Sequence, residues 1–325
     1  MKREAVLYTA LSVGLLLFFV ADLCVGAVNL SPWQLLHTDN TVYQQILLNI
    51  RLPKALTAVM AGVSLSLAGL IMQTLFRNPL AGPYVLGVSS GATLGVAVVV
   101  LCGSVLGFVA NSWLIVLAAI VGAVVVLLCV MAVSWRIEST ASLLIVGLMF
   151  GSIASALVNL MQNFSNPDSL KVFIVWTLGS LSSVGWAELR VLVPIFIVGL
   201  LLALCLIKPM NGLLLGERYA QGLGISLRRV RLLIIMVTAL LAGGITAFCG
   251  PIAFVGVAVP FMARGLFGTS NHRVTMLASA LIGANLLLVC DIISNLFTYP
   301  LPISTVSALF GAPVVVWIIL HEQRG

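Results

Sequence analysis

Ten long apolar runs, parted by short stretches that hold most of the charge, organise this chain. They lie near 5–28, 53–75, 88–108, 113–134, 141–164, 189–207, 230–249, 252–267, 274–297 and 304–321. A helix needs about 20 apolar residues to cross a bilayer, so the pattern predicts ten transmembrane helices. With the N-terminus inside, the segments 76–87, 135–140, 208–229 and 268–273 and the C-terminus face the cytoplasm. Twelve of the 16 Lys and Arg residues then lie inside, and only Arg51, Lys54, Lys171 and Arg190 lie outside. That asymmetry is what the positive-inside rule demands.

Composition agrees. Of 325 residues, 61% are hydrophobic and 8% charged, against about 25% charged in a soluble domain. Water-soluble enzymes and nucleic-acid-binding domains are excluded, and the net charge of +7 reads as topology rather than as a nucleic-acid surface. Lys2 and Arg3 before an apolar run suggest a signal peptide. A signal's apolar region is about 7–15 residues, whereas the run from Ala5 to Val28 is long enough to span. Cys24, Cys102, Cys129, Cys205, Cys249 and Cys290 stand singly and suggest neither disulfides nor a zinc site. His37, His272 and His321 are too dispersed for a metal relay. The chain reads as one transmembrane domain, 1–325.

Glycines recur at spacings of four: Gly87, Gly91 and Gly95, then Gly103/Gly107 and Gly147/Gly151. Small residues so spaced let helix backbones approach in lipid. Proline-interrupted stretches at Asn78–Gly87 and Gly250–Pro260 hint at broken helices, a transporter feature. The only acids deep in long runs, Asp22 and Asp291, fall toward outer ends and show no intramembrane basic partner. An ion- or proton-coupled secondary carrier, the rival reading, would need a mid-membrane ionisable pair. No phosphate-binding loop of the G-x-x-x-x-G-K-[ST] type occurs, so nucleotide hydrolysis would belong to another polypeptide. The longest cytoplasmic connection, Lys208–Arg231, could receive force from one. Within it, Leu213–Gly222 can form a short helix stopped by Gly222 and Gly224. An ordinary basic loop is the plainer alternative.

The run RLPKALTAVMAGVSLSLAGLIMQTLFRNPLAGPYVLGVSSGA (Arg51–Ala92) closely resembles the signature of the FecCD family. So do LLLGERYAQGLGIS (Leu213–Ser226), CGPIAFVGVAVPFMARGLFGTSNHR (Cys249–Arg273) and LPISTVSALFGAPVVVWIIL (Leu301–Leu320). These proteins are membrane subunits of ABC importers for iron–siderophore complexes, haem and cobalamin. The resemblance implies an all-α type II importer permease of ten transmembrane helices in the bacterial inner membrane, working as a homodimer. Two ATPase subunits would bind inside and one periplasmic substrate-binding protein outside. The chain itself would be no enzyme and hold no cofactor, since ATP and magnesium sit on the ATPase.

Residue by residue, the resemblance places the ATPase-coupling helix at Gly216–Gly224, with Gly216, Glu217, Arg218, Ala220, Gly222, Leu223 and Gly224 in that role. Arg51 and Lys54 match the basic pair that docks the binding protein. Asn295 stands where some relatives carry a third basic docking residue, and Phe261 where the family usually has histidine. In relatives the path is lined by spans 5 and 10. Here that gives Met149, Ser152, Ser155, Asn159 and Asn163, with Ser304, Ser307 and Leu309. A polar stripe of this kind either lines water or bonds a neighbouring helix. A path free of charge and metal ligands suits a bulky chelate moved whole. Which chelate is not written in these residues.

Overall fold

The structure is a computed structural model and describes residues 2–26, 41–103, 111–135, 139–297 and 299–322. Of the residues singled out above, His37, Gly107 and Val28 lie outside these, as do the ends of the first and third runs. Among the described residues there are helices and loops and no strand.

In chain order the helices are α1 (Lys2–Cys24), α2 (Thr41–Ile46), α3 (Leu52–Phe76), α4 (Val88–Gly103), α5 (Ser112–Ser134), α6 (Thr140–Phe164), α7 (Pro167–Thr177) and α8 (Trp186–Cys205). Then come α9 (Ile207–Leu214), α10 (Glu217–Gly222), α11 (Leu227–Thr238), α12 (Gly244–Cys249), α13 (Val255–Phe267), α14 (His272–Asn295) and α15 (Ile303–Glu322). A π-helical turn at Leu47–Arg51 joins α2 to α3, and another at Ala239–Gly243 joins α11 to α12. Each predicted run therefore contains an apolar helix, and the run 230–249 holds α11 and α12 joined end to end by the π-helical turn. Among the described residues seven are long and apolar enough to cross a membrane, and Val88–Gly103, Val255–Phe267 and Ile303–Val316 are shorter.

Two boundaries differ from the sequence reading. The second span begins well before residue 53, because Val42–Phe76 is continuous helix, which puts Arg51 inside a helix rather than in a loop. The short α7 was not foreseen. Its start is nevertheless written locally: Asn166 Oδ1 accepts from Ser169 N at 2.8 Å and Pro167 occupies the first helical turn, a standard N-terminal pairing.

The centre of the bundle is α3. In its most apolar stretch 83% of residues are buried, against 6% in α1 and 22% in α6. Water cannot drive helices together inside lipid, so close packing must. A Cβ added at Gly62 would lie 2.2 Å from Gly283 O on α14, and one at Gly69 would lie 1.7 Å from Gly256 O on α13. Gly62 and Gly69 are seven apart and share a face, so α3 receives two helices backbone to backbone. The foreseen glycine series act likewise: a Cβ at Gly95 would lie 2.0 Å from Ala118 O on α5, and one at Gly147 2.3 Å from Val85 O.

The two interrupted stretches are breaks. A 3-10 turn at Pro83–Leu86 precedes α4, and Phe254, with φ of +66°, precedes α13. Gly256 packs against Leu65 O and Pro83, so α13 and the turn before α4 meet halfway along α3. From there the half-helices diverge. Gly91 and Gly95 of α4 meet Gly122 and Ala118 of α5, an antiparallel pairing, and α5 ends at Trp135 against Arg228. Helix α4 thus runs away from the 207–226 segment. Helix α13 runs toward it, and Arg264 shares a cavity with Leu213 and Leu214.

Gly69→Val forces a side chain into backbone and should cost about 1–3 kcal/mol, the usual cost of overpacking. Gly265→Ala meets open space and should be neutral. Thermal unfolding in detergent separates the two; equal midpoints would refute backbone contact at Gly69.

Candidate functional site

Three polar regions stand out: a chamber beside α4 and α6, the 207–226 segment at one end of the bundle, and a charge network at the far end.

The chamber has a volume of about 370 Å³. Ser89, Ser90 and Thr93 of α4 line one wall and Ser155, Asn159 and Gln162 of α6 the other, with Phe173 and Thr177 of α7 and Pro251 closing it. The predicted stripe on α6 is exposed throughout, from Met149 through Ser152, Ser155 and Asn159 to Asn163. It bonds no neighbouring helix among the described residues. Ser152 Oγ donates to Leu148 O at 2.9 Å and Asn163 Nδ2 to Asn159 O at 3.2 Å, both within α6. Neither bond leaves α6, so the stripe's polar side chains bond no other described helix. On α15, Leu309 is exposed and Ser304 half-buried. Ser307 corrects the expectation: it is buried and its hydroxyl faces Ala253 O at 3.1 Å and Ser304 O at 3.0 Å. It ties α15 to the break before α13 and lines nothing.

The 207–226 segment holds two helices where one was foreseen. Helix α9 starts at Ile207, and the chain turns at Gly216, with φ of +118°, before α10. Gly224, with φ of +81°, follows α10 in a conformation that L-residues avoid. Ala220 is fully buried, whereas Leu215, Tyr219 and Leu223, four apart, are each more than half exposed, at 63%, 57% and 58%. Arg218, Gly222 and Gly224 are exposed beside them. Glu217 is tethered, its Oε1 accepting from Thr140 Oγ1 at 2.8 Å with Arg231 at 4.0 Å. Residues that the sequence reading passed over fix this segment to the bundle. Arg77 Nη2 donates to Leu213 O at 3.1 Å. Asn211 Oδ1 lies 2.9 Å from His272 Nδ1, and His272 Nε2 lies 2.8 Å from Thr74 Oγ1. A lone histidine in an apolar chain gave no hint of that link.

At the far end Arg51 and Lys54 turn inward. Arg51 is 8% exposed, and its Nη1 donates to Leu23 O at 2.6 Å and Cys24 O at 2.9 Å. A cation there satisfies carbonyls orphaned at the end of α1. Lys54 Nζ lies 3.0 Å from Asp291 Oδ1 and donates to Asn295 Oδ1 at 2.8 Å. Asn295 Nδ2 in turn donates to Asp291 Oδ2 at 3.2 Å, and Asp22 is buried against Asp291. Two expectations are corrected. Asp291 does have a basic partner, and the cations assigned to docking are engaged within the chain. Lys171 and Arg190 are the exposed cations of the four placed outside. Asn295 therefore bridges Lys54 and Asp291, accepting from one and donating to the other.

The sequence profile of the FecCD transport family matches residues 14–321. The chain belongs to the FecCD transport family. Over 318 residues it is 37% identical to the vitamin B12 import system permease protein BtuC of Escherichia coli O9:H4, covering 97% of this chain and 94% of that one. It is 36% identical over 327 residues to the BtuC of Citrobacter koseri, covering 99% and 96%. Its fold superposes with a TM-score of 0.87 on a metal-chelate type ABC transporter in an inward-facing conformation, at 29% identity and covering 97% and 98% of the two chains. A weaker likeness, with a TM-score of 0.52 at 17% identity, to PsaBC from Streptococcus pneumoniae in complex with Fab bears on the fold alone.

In this chain Arg51 and Lys54 tie the ends of α1 and α14 to α3. Lys54→Met leaves the buried Asp291 without its cation and should destabilise the protein by about 3–5 kcal/mol. Lys54→Met with Asp291→Leu should recover at least half of that, because an apolar pair replaces an ionic one. Thermal unfolding of the single and double variants measures this; additive losses would refute a direct pair.

Proposed function

We propose that this chain is the membrane-spanning permease of an ATP-driven importer that carries a metal chelate or a corrinoid such as cobalamin inward. It works as a homodimer in the bacterial inner membrane, both termini cytoplasmic, with two ATPase subunits inside and a periplasmic binding protein outside. ATP and magnesium belong to the ATPase. The observation that carries this reading is the group of Leu215, Tyr219 and Leu223, exposed on a segment that Arg77, Asn211 and His272 tie to the bundle. Exposed apolar side chains grouped on a polar rim mark a protein contact. This one is held between Gly216 and Gly224 and wired through Arg77, Asn211 and His272 to α3 and α14, so a push on it reaches the bundle core.

The mechanism is mechanical. Nucleotide-driven closure of the ATPase pair displaces α9 and α10, and the displacement alters access along α6 and α15. Met149, Ser152, Ser155, Asn159, Asn163, Ser304 and Leu309 border that route, with Ser307 behind it. Docking of the binding protein engages the far end, where Lys171 and Arg190 are presented and Arg51 and Lys54 are not. The ion pair found among the described residues, Lys54 with Asp291, lies toward the far end of the bundle, since Asp291 is four residues before the end of α14.

Gly224→Val places a β-branched residue at φ of +81°, a left-handed conformation that costs L-residues about 1–2 kcal/mol. The variant should lower ATP-driven uptake into reconstituted vesicles at least tenfold while the complex still hydrolyses ATP. Uptake at the wild-type rate would refute the coupling role.

A further inference from the structure

A second cavity, of about 350 Å³, lies where the end of α3, the end of α9 and the turn between α13 and α14 meet. Its innermost residues are polar and buried: Gln73, Thr74 and His272 are 3%, 6% and 1% exposed. Two guanidinium groups, those of Arg77 and Arg264, also line it, and among the described lining residues there is no Asp or Glu. Both arginines are fixed by bonds within the chain. Arg77 Nη2 donates to Leu213 O at 3.1 Å, and Arg264 Nη2 donates to Gln73 Oε1.

This arrangement differs from an ordinary solvated basic surface, where long side chains swing apart. Two cations anchored on one cavity repel each other, and the surrounding apolar protein and lipid strengthen that repulsion. Arg77 is also placed at a cost. Its φ is +47°, a left-handed conformation that glycine adopts freely and a side chain does not. The residue that ends α3 is thus an arginine where glycine would carry no strain. Its bond to one backbone carbonyl uses only part of a guanidinium's set of N–H donors.

The chemistry of a ligand follows from these groups. Arginine forks match the oxygens of a phosphate, which accepts paired bonds from them. Ser270 adds a hydroxyl to the same cavity, and Leu214 and Phe261 give it an apolar lip. A free anion has no use for that lip, whereas a phospholipid has acyl chains to lay against it. The cavity lies at the ends of membrane helices, the level of lipid headgroups. In the orientation proposed above that end is cytoplasmic, where basic pockets between helices attract anionic headgroups.

We propose that this cavity binds the phosphate headgroup of an anionic membrane phospholipid, with Arg77 and Arg264 sharing its oxygens. Arg77 is bonded to the end of α9, and Arg264 to α3 through Gln73. A headgroup held by both therefore braces the 207–226 segment against the bundle. The inference takes only the orientation from the importer reading, and its test needs neither cargo nor ATP.

The full-length chain, purified in a neutral detergent at fixed ionic strength, is unfolded thermally with dioleoylphosphatidylglycerol, with dioleoylphosphatidylcholine or with inorganic phosphate. Phosphatidylglycerol should raise the wild-type midpoint by about 4 °C, the scale expected of a ligand that binds only the folded protein, and the other two by less than about 1 °C. Ser270→Glu leaves both arginine bonds in place and brings a carboxylate to the cavity, so it should lose most of that rise. Arg264→Gln should lose most of it too, measured against its own lipid-free midpoint; if that variant does not fold, Ser270→Glu decides. Arg229→Gln removes an exposed cation of the same end from outside the lining and should keep the whole rise. A wild type insensitive to phosphatidylglycerol, or a full rise in Ser270→Glu, would overturn the proposal. So would a rise lost equally in Arg229→Gln, which marks a diffuse charge effect, or an equal rise with phosphatidylcholine. An equal rise with inorganic phosphate would reassign the site to a free anion and overturn the lipid.

Discussion

Everything in this molecule hangs on the backbone contact that α3 makes with α13 and α14. In lipid an apolar side chain gains little by leaving its neighbours for a protein surface. Helices are held by how closely their atoms meet, and dispersion falls away within a fraction of an ångström. At Gly62 and Gly283, and again at Gly69 and Gly256, the main chains meet with no room for a Cβ. These contacts bury α3 and fix α13 against its midpoint. They also seat Gly256 beside Pro83, which sets where the break before α4 must lie.

From that placement the polar chamber follows. A helix that starts inside a bundle exposes its first turn to whatever lies there, and irregular backbone is tolerated in a membrane only where protein or a cavity receives it. Because α4 begins at Val88 rather than at a membrane surface, its serines face α6 instead of water. The break before α13 is held by a different device. Ser307 fastens Ala253, and Phe254 is wedged against Gly311, where an added Cβ would approach it to 2.4 Å. The break before α13 is thus joined to α3 on one side and to α15 on the other, while Pro83 before α4 packs on Gly256.

The same helix carries the connection to the opposite surface. Thr74 meets His272, Gln73 Oε1 accepts from Arg264 and Gln73 Nε2 donates to Val257 O, and Arg77 reaches Leu213 O. Three positions, Gln73 and Thr74 at the end of α3 and Arg77 just past it, therefore touch α13, α14 and α9. At its other end Lys54 engages α14 and Arg51 caps α1. A single helix, clamped by charge at one end, by glycine at the middle and by polar bonds at the other end, links the exposed 215–223 stripe to the core.

Much of this was legible in order of residues. Runs of apolar residues fix the helices because a lipid-embedded backbone must satisfy itself; glycine spacing marked close packing on some helices without saying which neighbours would meet, and the prolines marked where helices would break. Recurrent motifs carried the family. The α6 stripe was visible, but not its facing wall, since nothing in SSGAT says which helix lies opposite. Arg51 and Lys54 show the limit most clearly. A basic residue near a predicted helix end reads as outward-facing, and only the approach of α1 and α14 decides that its charge turns in to meet carbonyls and Asp291. The sequence by itself determined the helices, their breaks and their small contact residues, all properties of local composition. Tertiary structure alone decided which polar groups were paired and which were left open to a cavity, because a hydrogen bond depends on the distance between residues far apart in the chain.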